Sequence, residues 1–92
     1  MIIRILTEGQ YRVSSALLDE MNLLDNQLVT SVAAEDEDSF RSLYNQILQL
    51  VRSQGNEMAV EELHPSDVII PSEDMSFEEA KGIFVGEGLL PG

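Results

Sequence analysis

The chain has 92 residues, 43% of them hydrophobic and only 5% aromatic, and its 17 acidic and 5 basic side chains give a net charge of −12. This length predicts a single domain over residues 1–92 with a thin, aliphatic core. The charge disfavours nucleic-acid binding and docking on an anionic membrane, because no basic patch is present to meet phosphate groups. A basic protein partner fits this charge, and so does a simple role in solubility.

Cysteine is absent, which excludes disulfides, thiolate metal sites and cysteine nucleophiles. No apolar run approaches the ~20 residues that cross a bilayer, and the amino-terminal run, residues 1–6, is too short for a signal peptide. A small secreted domain of this size usually carries disulfides. We therefore expect a cytoplasmic protein.

Residues 2–13 predict a β-hairpin. The β-branched run Ile2–Leu6 is typical of a strand, and Glu8-Gly9 is typical of a turn in which Gly9 can take positive φ. A three-residue loop, Glu8 to Gln10, is favoured over a two-residue loop because only it gives one clean apolar face. That face consists of Ile3, Ile5, Tyr11 and Val13. Arg4 and Arg12 then share the other face, where they meet nearby carboxylates or an acidic partner.

Two amphipathic helices are predicted between Ser14 and Gly55. The first begins at Ser14 or Ser15, whose hydroxyl can cap free amide groups. Its apolar stripe follows the helical period through Leu17, Met21, Leu24, Leu28 and Val32, and Leu18, Leu23 and Val29 widen it. The second helix carries Phe40, Leu43, Tyr44, Ile47, Leu50 and Val51 inward, with Leu48 at the flank. Outward-facing charges are Asp19 and Glu20 on the first helix and Arg41 and Arg52 on the second.

The acidic run from Glu35 to Asp38 is the predicted break between these helices. Asp36 can cap the second helix, and the neighbouring acids complement the positive end of its dipole. A short connection makes the two helices antiparallel neighbours. No Gly or Pro interrupts residues 14–54, so one continuous helix of about 60 Å, at 1.5 Å per residue, is the alternative. Gly55 stands where a left-handed helix cap is expected.

The last third of the chain predicts a short strand and a short helix. Residues 60–63 are predicted to form a short turn or strand, and residues 64–67 a turn. Val68-Ile69-Ile70, closed by Pro71, is typical of a short buried or edge strand. The four residues from Ser76 to Glu79 match a capping box and predict a helix to about Val85, in which Gly82 permits close packing. The expected fold is α+β: a small sheet, built from the hairpin and the strand near 68–70, packs on the helical hairpin and the carboxy-terminal helix.

Residues that commonly carry catalysis are few and poorly placed. His64 is the only histidine and Lys81 the only lysine, and Ser66 and Asp67 beside His64 lack the geometry of a triad. The sequence Gly86-Glu87-Gly88 lacks the third glycine and the strand–helix setting of a nucleotide-binding loop. We expect no catalytic, cofactor-binding or metal-binding residues, and a protein that is not an enzyme.

Several stretches resemble one family over essentially the whole chain. They are Ile2–Leu6, Glu8–Val13, Ala16–Glu20 with Asn22 and Leu24-Asp25, Phe40, Pro65–Asp67 with Pro71, and Gly88–Gly92. In these stretches the chain resembles the PspA-associated (PspAA) family, small proteins encoded beside the coiled-coil membrane-stress protein PspA. Members often carry Gly at the helix–helix break, where this chain has Glu35, and this departure favours the single-helix alternative. The resemblance implies a cytoplasmic accessory domain that works with a PspA-like protein in the envelope, or phage-shock, stress response.

Three functional hypotheses follow, and the third, a small enzyme or metal protein that uses His64 and carboxylates, is disfavoured because a zinc site with a single histidine is uncommon. The first is a non-enzymatic adaptor or regulatory domain that docks on a PspA-like protein, whose long basic coiled coil matches an acidic helix face. The residues proposed to bind this partner are Arg4, Arg12, Asp19, Glu20, Arg41, Arg52, Leu89 and Leu90. The alternative is a self-associating structural module, because one thin core cannot cover every apolar side chain. The surplus residues are Leu18, Leu23, Leu48, Leu89 and Leu90, which a homodimer would bury.

Overall fold

Within residues 1–59 and 65–83, which the computed structural model describes, three helices and a four-stranded sheet confirm the predicted α+β class. The elements, in chain order, are β1 (Ile2–Ile5), β2 (Gly9–Arg12), α1 (Ser15–Ala33), α2 (Glu37–Gln54), β3 (Asn56–Glu57), β4 (Val68–Ile70) and α3 (Phe77–Ile83). The prediction for residues 60–63, the turn residue His64 and the end of the last helix lie outside the described residues.

The sheet has the strand order β3-β2-β1-β4. The strand predicted near residues 68–70 is confirmed as β4, an edge strand that pairs in parallel with β1. Strand β3 was not predicted, because its two residues, Asn56 and Glu57, are polar and show no alternation. It forms because the end of α2 lies beside β2, so that the residues after it can pair with β2, Glu57 with Tyr11.

The predicted register of the β1–β2 hairpin is wrong, although the loop has the predicted length. Ile5 pairs with Gly9 and Ile3 with Tyr11, so the three-residue loop is 6–8 and not 8–10. The Glu8 amide donates to the Ile5 carbonyl over 3.0 Å, and Thr7 takes the left-handed conformation with φ 72°. Gly9 does take positive φ, at 142°.

The predicted faces of the hairpin are nevertheless confirmed. Both registers pair odd-numbered residues with odd-numbered residues, and side chains alternate along a strand. The buried apolar residues are accordingly Ile3, Ile5, Tyr11 and Val13, while Arg4 and Arg12 are exposed. Gln10, on the same side as the arginines, is buried and donates to the Ser66 hydroxyl over 2.8 Å.

Residues 14–54 form two helices and not one. Helix α1 is capped by Ser14, whose hydroxyl accepts from the Leu17 amide over 3.2 Å. At its carboxyl end the Glu35 amide donates to the Val32 carbonyl over 3.0 Å, and the Asp36 amide donates to the Ser31 carbonyl over 2.9 Å. This pattern is the Schellman motif, which requires a left-handed residue after the helix.

Glu35 is that left-handed residue, with φ 55°. Glycine takes this conformation freely, whereas a residue with a Cβ is strained. The break therefore forms without glycine, and the single-helix alternative is wrong. Asp36 then starts α2, because its carboxylate accepts from the Ser39 amide over 3.2 Å and from the Ser39 hydroxyl over 2.7 Å. These bonds lower the pKa of Asp36.

The core lies between the sheet and the two long helices. Phe40 is buried at its centre, stacked on Tyr44 and edge-on to Phe77, each at 5.6 Å between ring centroids. Leu48, predicted at the flank of α2, is fully buried, whereas Leu43 and Leu50 lie half-buried at the edge of the core. The other buried apolar residues on the helices are Leu17, Met21, Leu28, Val32, Ile47, Val51 and Ala80.

Two predictions about glycines are corrected. Gly55 has φ −75°, so it is not a left-handed cap. It is needed because a Cβ there would lie 2.5 Å from the Val51 carbonyl oxygen and 3.3 Å from the Cβ of Tyr11. Gly82 was predicted to permit close packing. A Cβ at Gly82 would meet nothing within 4 Å among the described residues, so no contact with them requires this glycine.

Short polar contacts fix β4 and α3 to the rest of the fold. The Asp67 amide donates to the Ile2 carbonyl over 2.8 Å, and the Asp67 carboxylate accepts from the Ile2 amide over 2.7 Å. The Tyr44 hydroxyl donates to the Pro71 carbonyl. The predicted cap at Ser76 is confirmed, since the Glu79 amide donates to the Ser76 hydroxyl over 3.1 Å. The Glu79 carboxylate accepts from the Ser76 hydroxyl over 3.1 Å, in place of the bond from the Ser76 amide that completes a capping box.

Candidate partner-binding surface

The two arginines predicted to face outward from α2 are half-buried and contact other parts of the fold. Arg41 lies over the Phe40 ring, 5.5 Å from its centroid, and donates to the Met75 carbonyl. Arg52 donates two hydrogen bonds to Glu8, over 2.8 and 2.6 Å, and lies 3.7 Å from the Glu73 carboxylate. The hydrogen bond to Glu8 raises the pKa of Arg52. Both side chains therefore join α2 to distant segments.

Lys81 likewise joins two distant segments, α3 and the break between α1 and α2. Its ammonium group donates to the Glu35 carboxylate over 2.7 Å and lies over the Phe77 ring, 5.2 Å from the centroid. This hydrogen bond raises the pKa of Lys81 and lowers that of Glu35. Arg41, Arg52 and Lys81 thus bind acids or carbonyl groups within the chain, and the net charge of −12 makes the outer surface predominantly acidic.

The other predicted partner-binding residues are spread over separate surfaces. Arg4 and Arg12 are exposed on the side of the sheet that faces away from the helices, and Asp19 and Glu20 are exposed on α1. Leu89 and Leu90 lie outside the described residues. The structure therefore does not bring the predicted set together into one patch.

The leucines that were predicted to be left over from the core differ in how much of their surface is exposed. Leu48 is fully buried and Leu18 is half-buried, whereas Leu23 keeps 66% of its surface exposed. Leu23 is the most exposed large hydrophobic residue of the described part of the chain. An isolated exposed leucine is ordinary, but an apolar residue in a continuous groove suggests a binding surface.

Leu23 lines a groove between α1 and α2 that no residue of the sheet enters. One section, of about 550 Å³, has Leu23, Leu24 and Leu50 as its apolar surface. Its polar lining consists of Glu20, Gln27, Gln46, Gln49 and Ser53. A second section, of about 330 Å³, continues from Gln27 towards the helix break. Its other lining residues are Thr30, Ser31, Ala34, Asp36, Ser39 and Leu43. We call the two sections together the interhelical groove.

Sequence reasoning identified two members of this groove, Glu20 and Leu23, but not the groove itself. The available signal was the excess width of the apolar stripe on α1. That signal could not locate a groove, because the matching residues Leu43 and Leu50 were assigned to the core of α2.

The residues considered for chemistry hold structural positions where they are described. Asp67 bonds to the backbone of Ile2, and Lys81 joins α3 to the helix break. His64 lies outside the described residues. Over residues 1–59 and 65–83, no group of three or more His, Cys, Asp or Glu side chains could hold a metal ion. No helix in these ranges is both long and apolar enough to cross a membrane.

Comparison with protein families gives a match over the whole chain. The model of the PspAA family, described as PspA-associated protein, matches residues 1–92. No curated protein and no solved structure matches the chain. Because the family model covers the entire sequence, the chain belongs to the PspA-associated protein family.

Proposed function

We propose that this chain is a non-enzymatic adaptor or regulatory domain that associates with a PspA-like protein in the cytoplasm during envelope stress. The observation that carries the proposal is the family match over residues 1–92, since the family is described by its association with PspA. The polar residues with catalytic potential support a non-enzymatic role, because Asp67, Glu79 and Lys81 serve strand pairing, helix capping and helix docking.

Charge supports a basic protein partner. The chain has a net charge of −12, and its ion pairs hold Arg52 and Lys81 against its own acids. Outside the sheet side that carries Arg4 and Arg12, the surface that a partner meets is therefore mostly acidic or neutral. Complementary charge accelerates association, and the effect weakens as salt screens it.

The test is co-purification of the full chain with the PspA-like protein of the same genome, at micromolar concentration and at low and high salt. We expect a complex at low salt that weakens at high salt. No complex at low salt would refute the proposal. Light scattering on the chain alone tests the self-association alternative, because a clean monomer at high concentration leaves no role for a homodimer.

The non-enzymatic part of the proposal has its own test. Elemental analysis of the purified chain should find no stoichiometric metal. A His64→Ala variant should keep the stability and the partner affinity of the wild type. A bound metal, or a loss of partner binding in this variant, would contradict the proposed absence of a histidine-dependent site.

A further inference from the structure

The residues that line the interhelical groove recur with the spacing of a helix-packing seam. Ten of the lining residues form two such series, which are Glu20, Leu23, Gln27, Thr30 and Ala34 on α1 and Ser39, Leu43, Gln46, Leu50 and Ser53 on α2. The other lining residues are Leu24, Ser31 and Gln49, which lie next to members of these series, and Asp36, which caps α2. Both series alternate between steps of three and four residues, which average to the 3.5-residue repeat of coiled coils. We propose that the groove receives one amphipathic α-helix of the partner protein, which completes a three-helix seam with α1 and α2.

The groove has the length of a helix and not of a small ligand. From Glu20 to Ala34 the seam on α1 extends about 21 Å at 1.5 Å per residue, so it accommodates about four turns of a packed helix. The two helices that form it are held in place by the core and by the Schellman motif at Glu35. A groove between fixed helices requires little ordering when the partner binds, which favours affinity.

The lining is poor in charged residues. Glu20 and Asp36 are the charged residues of the two sections, whereas 24% of the whole chain is charged. The apolar contacts come from Leu23, Leu24, Leu43 and Leu50, and uncharged amides and hydroxyls make up most of the rest. Depletion of charge from the central contact area is a property that separates protein interfaces from other surface.

The negative charge of the groove and of the whole chain distinguishes between the possible occupants of the groove. Glu20 lies in one section of the groove and Asp36 in the other, and the chain has a net charge of −12. A second copy of this chain would bring the same acids together, and an anionic membrane would repel them. The occupant that fits is a helix with apolar residues at alternating spacings of three and four and with Lys or Arg beside them.

This inference rests on the proposed function for the identity of the partner, so the experiment uses two binding partners. One is the full-length PspA-like protein, and the other is a synthetic helical peptide with leucines at alternating three- and four-residue spacing and flanking lysines. The test variants are Leu23→Asp on α1 and Gln49→Lys on α2. Leu6→Asp is the matched control, because Leu6 is an exposed leucine that does not line the groove.

We expect both groove variants to weaken binding of both partners at least tenfold, and Leu6→Asp to stay within twofold of the wild type. All three positions are exposed, so the melting temperature should remain near that of the wild type. If the PspA-like protein binds equally well to Leu23→Asp, Gln49→Lys and the wild type, the groove is not its docking site, although the proposed function stands.

Three other outcomes also test the groove proposal or the proposed function. If the peptide binds the groove but the PspA-like protein binds nowhere, the groove is a helix site and the proposed function fails. If neither partner binds the wild type, the groove inference is overturned. It is also overturned if the wild type dimerises and Leu23→Asp is monomeric, since a second copy is then the occupant.

Discussion

A substitution at Gly55 tests how the end of α2 is fitted to the sheet. An alanine Cβ at this position would lie 2.5 Å from the Val51 carbonyl oxygen, a distance that side-chain carbons do not reach in folded proteins. It would also lie 3.3 Å from the Cβ of Tyr11, on the strand that pairs with β3. The backbone must therefore move, and the hydrogen bond from the Gly55 amide to Val51, 2.9 Å long, is the contact that opens.

The cost of Gly55→Ala follows from three contributions. Loss of the hydrogen bond removes about 0.5–1.5 kcal/mol, and crowding in a packed region costs about 1–3 kcal/mol. Alanine restricts the unfolded chain and recovers about 0.4–1 kcal/mol. The three contributions give a net destabilisation of about 0.5–4 kcal/mol, centred near 2 kcal/mol. For a domain of this size, about 2 kcal/mol lowers the melting temperature by roughly 8–16 °C.

Gly82→Ala is the matched control, because it makes the same chemical change where a Cβ meets nothing within 4 Å in the described part of the chain. In the helical backbone of α3, alanine is favoured over glycine by up to about 1 kcal/mol, so the melting temperature should rise. Thermal and urea unfolding followed by circular dichroism give both values. Equal rises for the two variants would mean that only chain entropy matters and that the contact with Val51 has been misjudged.

Hydrogen exchange provides a local measurement of the same effect. The Met58 amide donates to the Gln10 carbonyl over 2.9 Å, beside β3, and should exchange faster in Gly55→Ala. The amide of Leu17, which the cap at Ser14 binds at the start of α1, should keep its protection. A uniform loss of protection over both amides would contradict a local displacement of the end of α2.

Three further predictions concern the helix break and the buried tyrosine. Glu35→Gly should raise the melting temperature, because the strain relieved at φ 55° exceeds the stability lost with the exposed Lys81–Glu35 ion pair. A lower melting temperature would show that the ion pair contributes more than the strain costs. The pKa of Asp36 is held below its ordinary value of 3.8 by the bonds from Ser39, so its contribution to stability is complete above that pH and is lost as the pH falls through the folded value. Asp36→Asn, which still caps the helix, should therefore keep the stability near pH 7 but reduce its loss in acid, and unfolding measured from neutral to acidic pH decides this. Burial raises the pKa of Tyr44 above its ordinary value of 10.0, so its contribution is complete below that pH and is lost as the pH rises above it. Tyr44→Phe should cost about 1 kcal/mol near neutral pH, through loss of the bond to Pro71, and should weaken the alkaline loss of stability; an unchanged alkaline profile would contradict this assignment.

Features that depend on neighbouring residues were predictable from the sequence. The caps at Ser14, Asp36 and Ser76 follow from the preference of hydroxyl and carboxylate groups for free amides within the next turn. The stripe on α1 and the strand at residues 68–70 follow from local periodicity and from the closing Pro71. The faces of the hairpin were also predictable, because they depend only on whether a residue number is odd or even.

The register of the hairpin was not predictable from these signals. Parity is the same in the predicted and the observed pairing, so the apolar pattern cannot separate them. The turn is set by the left-handed Thr7 and by β4, since the Leu6 amide donates to the Ile70 carbonyl over 2.9 Å. That contact joins residues far apart in the sequence and exists only once the parallel strand is in place.

The candidate surface shows the same division. Local sequence patterns were sufficient for the family resemblance, for the two amphipathic helices and for the acidic character of the chain. Which charges and leucines remain exposed depends on contacts between distant segments, which local patterns do not encode. Arg52 meets Glu8 across 44 positions, and Lys81 meets Glu35 across 46. The groove along Leu23 and Leu50 is exposed because the sheet covers one side of the helical hairpin, and helical periodicity alone does not specify which side a partner element will cover.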